Sequence, residues 1–213
     1  MTPLTRRFYS RSTLVVARAL LGKVLYHRVG GRLLSGRIVE VEAYTDDAAS
    51  HARWSRRTPR NAVMFGPAGH AYVYFTYGMH HCVNIVTESN GRPGAVLLRG
   101  LDCLRAGAPA RDGSGPGRLC RALGITLSQN GLDLTTGETL WIADGRRARR
   151  ERIVQTTRIG IRVAEKLRWR FYLLGSDGVS RRDRSAEAPQ REMAPTCRIA
   201  GTTRSASAGG RRR

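Results

Sequence analysis

The chain has 213 residues, of which 41 % are hydrophobic, and a formal net charge of +21 at pH 7. This hydrophobic content excludes a chain that is disordered throughout, and the length suits one domain of ordinary size. So large a positive charge favours nucleic acid as the partner; a membrane is disfavoured because no basic amphipathic helix stands out. The alternative is an arginine-rich composition that only keeps the surface soluble.

Cysteine usage and missing motifs exclude several further classes. The cysteines form no C-x-x-C pair, and neighbouring residues in His80-His81-Cys82 would point to opposite faces of a strand, so no metal site is expected. No phosphate-binding glycine motif occurs, so no cofactor is expected. Neither a signal peptide nor an apolar run long enough to span a bilayer is present. We therefore expect a cytoplasmic protein with reduced cysteines.

The first half of the chain predicts a helix followed by strands that alternate with turns. The predicted elements are a helix from Ser12 or Thr13 to Leu21 and strands over Lys23–Arg28, Arg32–Tyr44, Tyr72–Phe75, His81–Thr87 and Ala95–Arg99. Gly30-Gly31 and the cluster from Ser89 to Gly94 are the strongest turn signals.

The end of the second strand is the first candidate for chemistry. Val39, Val41 and Ala43 alternate with Glu40, Glu42 and Tyr44. An acidic and aromatic face is unusual for a solvated strand in so basic a chain. A carboxylate beside an aromatic ring and near arginine is a candidate catalytic base.

The segment 45–70 is predicted to be a long loop. It contains Arg53, Arg56, Arg57 and Arg60, which are candidates for phosphate contacts. A solvated basic loop without a role is the alternative.

Tyrosines and two isolated polar residues mark the next strands. Tyr72 and Tyr74 share one strand face, and Tyr77 precedes Gly78, where a tight turn could expose it. These rings suit either base stacking or ordinary β-sheet packing. Asn84, in an apolar strand, must satisfy its amide within a core network or face a site, and Arg99 is either an edge residue or an anion anchor.

The second half is predicted in less detail. We expect a linker-like loop over 107–117, a helix over 115–124 and strand-like segments over Leu132–Ile142, Thr156–Ile161 and Trp169–Leu174, the last two around a short helical stretch. The charge run Gly145–Arg152 is predicted to be a solvated turn. Residues 1–184 form the predicted domain, and 185–213 a disordered basic tail.

Several ordered motifs resemble the alkyladenine (3-methyladenine) DNA glycosylase family, the mammalian type that also has bacterial members. The resemblance covers residues 12–180, and its motifs begin at Arg37, Ala49, Thr58, Met64, Tyr72, Cys82, Val96, Gly115, Arg158 and Arg170. It implies an α+β fold: a single compact domain with a curved, mainly antiparallel β-sheet, flanking helices and a basic DNA face.

The same resemblance implies the function and its partners. The expected enzyme is a monofunctional glycosylase that excises damaged purines from double-stranded DNA in base excision repair, with water as the nucleophile and no lyase activity. It would act as a cytoplasmic, nucleoid-associated monomer, and no membrane is expected among its partners.

Roles for individual residues also follow from the resemblance. Glu42 would be the general base, and Arg99 would hold the water and the phosphate of the flipped nucleotide. Tyr44, His51 and Tyr74 would sandwich the base. Asn84 would obstruct the amino group of normal guanine.

Further residues would contact DNA outside the pocket. Tyr77 would be the wedge inserted through the minor groove, and the remaining expected contacts are Tyr72, Arg57, Arg60 and Met79. Arg162–Glu165 departs from the Gly-rich stretch typical of relatives, which predicts an altered back wall of the pocket.

Two other functions fit the residues. A nonenzymatic nucleic-acid-binding protein would need the charge and the tyrosines but not Glu42. A sugar glycosidase could use Glu40 and Glu42, about 7 Å apart at Cα, as an inverting pair, although the positive charge argues against it.

Overall fold

Strand β2 (Arg32–Tyr44) is the element on which the sheet is built. The computed structural model describes residues 1–88, 91–102, 112–145 and 151–188. In this part of the chain the other strands are β1 (Val24–Val29), β3 (Ala71–Thr76), β4 (His80–Val86), β5 (Ala95–Asp102), β6 (Leu140–Ala143), β7 (Ile153–Thr156) and β8 (Arg170–Leu173). The helices are α1 (Arg6–Tyr9), α2 (Thr13–Leu20), α3 (Pro116–Leu123) and α4 (Arg184–Glu187), with 3₁₀ turns at Arg53–Ser55, Ala62–Phe65 and Leu127–Gln129.

All strand pairs are antiparallel, in the order β3-β4-β5-β2-β1-β6, with β8 also paired to β2 and β7 paired to β8. The first half of β2 pairs with β1 across Gly30 and Gly31, both of which have positive φ, as a two-residue hairpin turn requires. The second half lies between β5 and β8. The sheet curls, so the expected α+β fold with a curved antiparallel sheet is confirmed.

The strand register aligns the site residues. Tyr72 pairs with Asn84, Asn84 with Leu97, and Leu97 with Glu42, so one row crosses four strands. Because paired residues point to the same face, these side chains lie on one side of the sheet. A bulge follows: Glu40 pairs with Gly100 and Val41 with Leu98, which leaves Arg99 as the extra residue of β5. Bulges redirect side chains, and this one directs Arg99 toward both glutamates.

The core lies on the opposite face and is covered by α2 and α3. Helix α2 buries Val16, Ala17 and Leu20, and α3 buries Leu119 and Leu123. The predicted bounds of both helices are confirmed: α2 starts after Ser12, and α3 ends at Gly124, whose φ of +66° is a typical helix stop. No helix among the described residues has the length and apolarity needed to cross a membrane.

Two predicted strands are wrong. In the segment Leu132–Ile142 only Leu140–Ala143 forms a strand, because the Asp133 carboxylate accepts hydrogen bonds from the backbone and hydroxyl of Thr135 and closes a turn there. In the segment Thr156–Ile161 the strand ends at Thr156, and no helix follows before β8. Gly160, with φ +76°, lies in the irregular connection found in place of the predicted strand and the predicted helical stretch.

Other predictions fall partly outside the described residues. These are Ser89 and Asn90 of a turn, positions 107–111 of the linker, positions 146–150 of the charge run, and the tail from 189 onward. Across the predicted boundary between domain and tail, Arg184–Glu187 forms a helical turn, capped by the Asp183 carboxylate through the Ala186 N–H.

Candidate active site

A cavity of about 370 Å³ opens on the sheet face that carries the Glu42 row. Seven residues predicted from the sequence line it, namely Tyr44, His51, Tyr72, Tyr74, Tyr77, Asn84 and Arg99. The remaining lining residues are Ala49, Ser50, Met64, Thr76, Cys82, Leu97, Pro116 and Ile159–Ile161. Residues from widely separated parts of the chain, between Tyr44 and Ile161, thus converge on one space that suits a small organic ligand.

Aromatic rings form one wall of the cavity. The His51 ring lies 4.6 Å from that of Tyr74 at an angle of 67°, and the Tyr72 and Tyr74 rings lie 5.5 Å apart. His51 Nδ1 and the Tyr72 hydroxyl are hydrogen-bonded at 2.8 Å. Burial, aided by the charge of Arg60, holds the pKa of His51 below its ordinary 6.5, and burial raises the pKa of Tyr72 to about 12. The wall is therefore neutral at pH 7.

Glu42 lies directly behind this cavity and is fully buried. Its Oε1 accepts the Ile159 N–H at 2.7 Å, and its Oε2 accepts the Tyr44 hydroxyl at 2.9 Å. Arg99 Nη1 lies 3.4 Å from the same Oε2. Burial raises the pKa of Glu42, while Arg99 and the two hydrogen bonds oppose the rise. Oε2 is thus bonded to two residues that line the cavity.

Glu40, two residues earlier, has a different environment. It is fully buried, accepts Arg170 Nη1 at 2.9 Å and the Ser180 N–H at 2.6 Å, and lies 3.5 Å from Arg99 Nε. These contacts engage both of its oxygens. Neither glutamate lines the cavity itself, but all three partners of Glu42 (Tyr44, Arg99 and Ile159) line it, whereas of the partners of Glu40 only Arg99 does. The geometry therefore does not support Glu40 and Glu42 as a symmetric catalytic pair.

Arg158 supports the cavity from behind Tyr44, a position that the sequence did not reveal. Its side chain is fully buried and forms two bonds with the Asp47 carboxylate, at 2.6 and 3.1 Å. The guanidinium carbon lies 4.6 Å from the Tyr44 ring centroid and 5.2 Å from that of Trp169. Although burial opposes ionisation of Asp47, hydrogen bonds and the charge of Arg158 hold its pKa below the ordinary value. The cluster fixes the Tyr44 ring in place.

Asn61 fixes the loop that carries His51. Its Nδ2 donates to the carbonyls of His51 and Arg56, at 2.7 and 2.9 Å, and its Oδ1 accepts the Thr58 N–H at 2.6 Å. The residue is buried. The only sequence signal was its place in the motif Thr58-Pro-Arg-Asn61, which gave it no role.

Asn84 has its amide satisfied from the neighbouring strand. Its Nδ2 donates to the Tyr72 carbonyl at 3.1 Å. The side chain lines the cavity, although only 4 % of the residue is exposed. Both sequence interpretations therefore hold for this residue, because it belongs to a buried network and also faces the site.

The residues expected to contact DNA occupy different positions. Tyr77 lies at the cavity mouth in the β3–β4 turn, 83 % exposed and with φ +51°, and Met79 beside it is 67 % exposed. Arg57 and Arg60 are exposed, and Arg60 also lies over the Tyr74 ring at 5.6 Å. Tyr72, by contrast, is 1 % exposed and belongs to the pocket wall.

The comparisons with known proteins place this site in a family. The sequence model of the methylpurine-DNA glycosylase family matches residues 7–177. The chain belongs to this family. A relative from Carboxydothermus hydrogenoformans, named "Putative 3-methyladenine DNA glycosylase", is 48 % identical over 190 residues, covering 84 % of this chain and 99 % of that protein. Proteins of the same name from Methanoculleus marisnigri and Anaeromyxobacter sp. are each 50 % identical over 188 residues, covering 82 % and 84 % of this chain and 97 % and 92 % of their own.

The range matched by the family includes every residue that lines the cavity. The resemblance inferred from the motifs is therefore confirmed.

The departure at Arg162–Glu165 lies within the matched range. Arg162 and Val163 line a second cavity of about 420 Å³, which shares Ala49, Ser50, His51, Gly160 and Ile161 with the first. Among the described residues no three His, Cys, Asp or Glu side chains converge to form a metal site.

Proposed function

We propose that this protein is a monofunctional DNA glycosylase that takes a damaged purine of the 3-methyladenine type out of duplex DNA and hydrolyses its N-glycosidic bond. The observation that carries the proposal is the contact of Glu42 Oε2 with both Tyr44 and Arg99, each of which lines an aromatic cavity. A base-sized space and a buried carboxylate are thus connected through the side chains of Tyr44 and Arg99.

The aromatic wall supports binding of a flipped base. A base inside a duplex cannot be reached by the enzyme, so it must be extruded, at a cost of a few kcal/mol in lost stacking. Stacking on aromatic rings returns about 1–3 kcal/mol per base. Purine nucleotides alkylated at a ring nitrogen, as in 3-methyladenine, carry a positive charge, and a neutral His51 avoids repelling it while the tyrosine faces attract it.

The carboxylate supports hydrolysis. In the proposed step the oxygen of water forms a bond to C1′ of the sugar, and the C1′–N bond breaks with its electron pair leaving on the purine. The proton released by water passes to Glu42. As positive character develops on the sugar, an ionised Glu42 also stabilises it. Arg99, fixed between Glu40 and Glu42, favours the ionised form of Glu42.

The distribution of lysine supports water as the nucleophile. The sequence contains only Lys23 and Lys166, and neither lines the cavity. Lys23, immediately before β1, forms an ion pair with Asp144 at 2.5 Å. We therefore expect no Schiff base with the sugar, so borohydride should trap no covalent complex with lesion-containing DNA.

The test is base release from a duplex with one ethenoadenine or hypoxanthine, revealed by alkaline cleavage at the abasic site. Glu42→Gln should slow excision by about 10²–10⁴-fold, the usual contribution of a general base, while the dissociation constant for DNA stays within threefold. The matched control is Glu40→Gln, which removes a charge from the same strand face. It should lower the melting temperature and slow excision far less.

The outcomes separate the candidate functions. Equal rates for native protein and Glu42→Gln would contradict the role of Glu42. Tight binding without release of any damaged base, alkylated purines included, would favour a nonenzymatic DNA-binding protein. Release of reducing sugar from a glycan would favour a sugar glycosidase.

A further inference from the structure

Trp54 is a large aromatic residue in an unfavourable position. It is 78 % exposed, and its ring makes no aromatic or cation–π contact with another described residue. Its backbone is left-handed, with φ +58°, and so is that of Ser55, with φ +53°. Such backbone conformations cost non-glycine residues free energy, and residues strained in this way cluster at functional sites. The fold itself therefore gives no reason for a tryptophan here.

The side chains around Trp54 are cationic. Arg53, Arg56 and Arg57 are all exposed, and none has a carboxylate partner among the described residues. An exposed ring among unpaired guanidinium groups is the combination that binds an unstacked base together with its flanking phosphates. A protein partner with an apolar patch would not need this density of positive charge.

The position of Trp54 relates it to the cavity. It follows His51 by three residues, so the two Cα atoms lie within about 11 Å of each other. The loop is held by hydrogen bonds from the Trp54 N–H to the Asp46 carbonyl and from the Arg53 N–H to the Ser50 carbonyl, at 3.0 and 3.2 Å. Arg53 lines the second cavity, which adjoins the first. A nucleotide next to one held in the cavity would be within reach of the ring.

We infer that Trp54, with Arg53, Arg56 and Arg57, forms a second nucleic-acid contact that stacks on an unpaired base beside the flipped nucleotide. This inference rests on the proposed function, because it presupposes DNA bound at the cavity. It adds a stacking residue that the sequence motifs did not assign.

Trp54→Gly is the sharpest variant, because glycine adopts φ +58° without strain and the fold should not be weakened. We expect an unchanged or higher melting temperature. Affinity for a 25-base-pair duplex with one ethenoadenine should fall about 5- to 150-fold, the range for the loss of one stacked base. Trp54→Phe keeps a ring, so the logarithm of its affinity for the duplex should fall by less than half as much as that of Trp54→Gly.

Fluorescence gives a second measurement. Trp141 is 3 % exposed and Trp169 is half-buried, so Trp54 dominates quenching of the native protein by acrylamide. Binding of the duplex to Glu42→Gln, which keeps the lesion intact, should protect this emission. In the double variant with Trp54→Phe, the DNA-dependent protection should disappear.

Failure of this inference differs from failure of the proposed function. If Trp54→Gly binds the lesion duplex as tightly as the native protein and DNA leaves the quenching unchanged, the second contact is wrong, whatever the excision rate. If the native protein excises no damaged base but Trp54→Gly binds DNA more weakly, the contact stands and the glycosylase proposal fails.

Discussion

The Tyr44 hydroxyl donates a hydrogen bond to Glu42 Oε2 at 2.9 Å, while the Tyr44 ring lines the cavity. One side chain therefore contacts both the cavity proposed to hold the nucleobase and Glu42, the proposed general base. Burial raises the pKa of Glu42, and this hydrogen bond is one of the groups that oppose the rise. A hydrogen bond to a charged group contributes about 1.5–3 kcal/mol.

Tyr44→Phe should shift the pH dependence of excision without removing the ring. Loss of the donor raises the pKa of Glu42 further, so the general base becomes protonated at higher pH. The acidic limb of kcat/KM should move to higher pH by about 1–2 units, which corresponds to the free energy of the lost hydrogen bond. The measurement is kcat/KM on a hypoxanthine duplex between pH 5 and 9.

Tyr74→Phe is the matched control. It removes a hydroxyl from the same cavity, but that hydroxyl is hydrogen-bonded to the Cys82 thiol and donates no hydrogen bond to Glu42. Its acidic limb should coincide with that of the native protein. Equal shifts in both variants would show that Tyr44 does not act through Glu42.

Asn84 should determine whether unmodified guanine is rejected. Guanine differs from hypoxanthine by its 2-amino group, and the Asn84 amide is held at the cavity by the Tyr72 carbonyl. Asn84→Ser shortens the side chain, so excision of normal guanine should rise about 10- to 200-fold, the usual range for a pocket that gains one small group. Excision of hypoxanthine, measured on the same duplex sequence, should change less than threefold. An unchanged ratio between the two bases would contradict this role.

Local signals were sufficient to predict most of the fold. Gly30-Gly31 and the alternation around it gave the β1–β2 hairpin, and the bounds of α2 and α3 followed from Ser12 and Gly124. The strand expected over Leu132–Ile142 failed because a side chain, Asp133, satisfies the backbone there. Turns made by side-chain hydrogen bonds leave no periodicity to detect.

The candidate site was predictable only in part, because its supporting contacts are long-range. Arg158 and Asp47 are 111 residues apart in sequence, and Arg170 and Glu40 are 130 apart. No spacing rule connects such residues. The burial of both glutamates was equally hidden, since it depends on strand β8, which pairs with β2 on the edge opposite β5. The family resemblance named seven of the lining residues but not the groups that hold them.

The ion pair between Asp47 and Arg158 should contribute strongly to stability. Asp47→Asn leaves a buried guanidinium without its counterion, so the free energy of unfolding at pH 7 should fall by about 3–5 kcal/mol. The control is Asp46→Asn at the neighbouring exposed position, which should change it by no more than about 0.5 kcal/mol. Urea denaturation of the three proteins makes the comparison.

The same ion pair predicts how stability depends on pH. The pKa of Asp47 is lowered in the folded protein, so its contribution is complete above the ordinary value of 3.8 and is lost as pH falls through the folded pKa. The difference in free energy of unfolding between the native protein and Asp47→Asn should therefore be constant from pH 5 to 7 and should shrink below pH 3.8. A difference that persists at the lowest pH would show that Asp47 acts through packing instead of charge.

Tyr77 should hold the DNA open without stabilising the protein. It is 83 % exposed and has φ +51°, so Tyr77→Gly removes the ring and also relieves a left-handed backbone. A wedge of this kind offsets a few kcal/mol of lost base stacking. Excision should slow at least about tenfold, while the melting temperature stays constant or rises. The fluorescence of 2-aminopurine placed beside the lesion, which reports unstacking, should increase less on binding the variant.

The control is Val15→Ala, at an exposed apolar residue of α2 outside the cavity, which should alter neither the excision rate nor the 2-aminopurine fluorescence. If Tyr77→Gly unstacks the neighbouring base as well as the native protein does, the opening of the duplex must depend on another residue of this face.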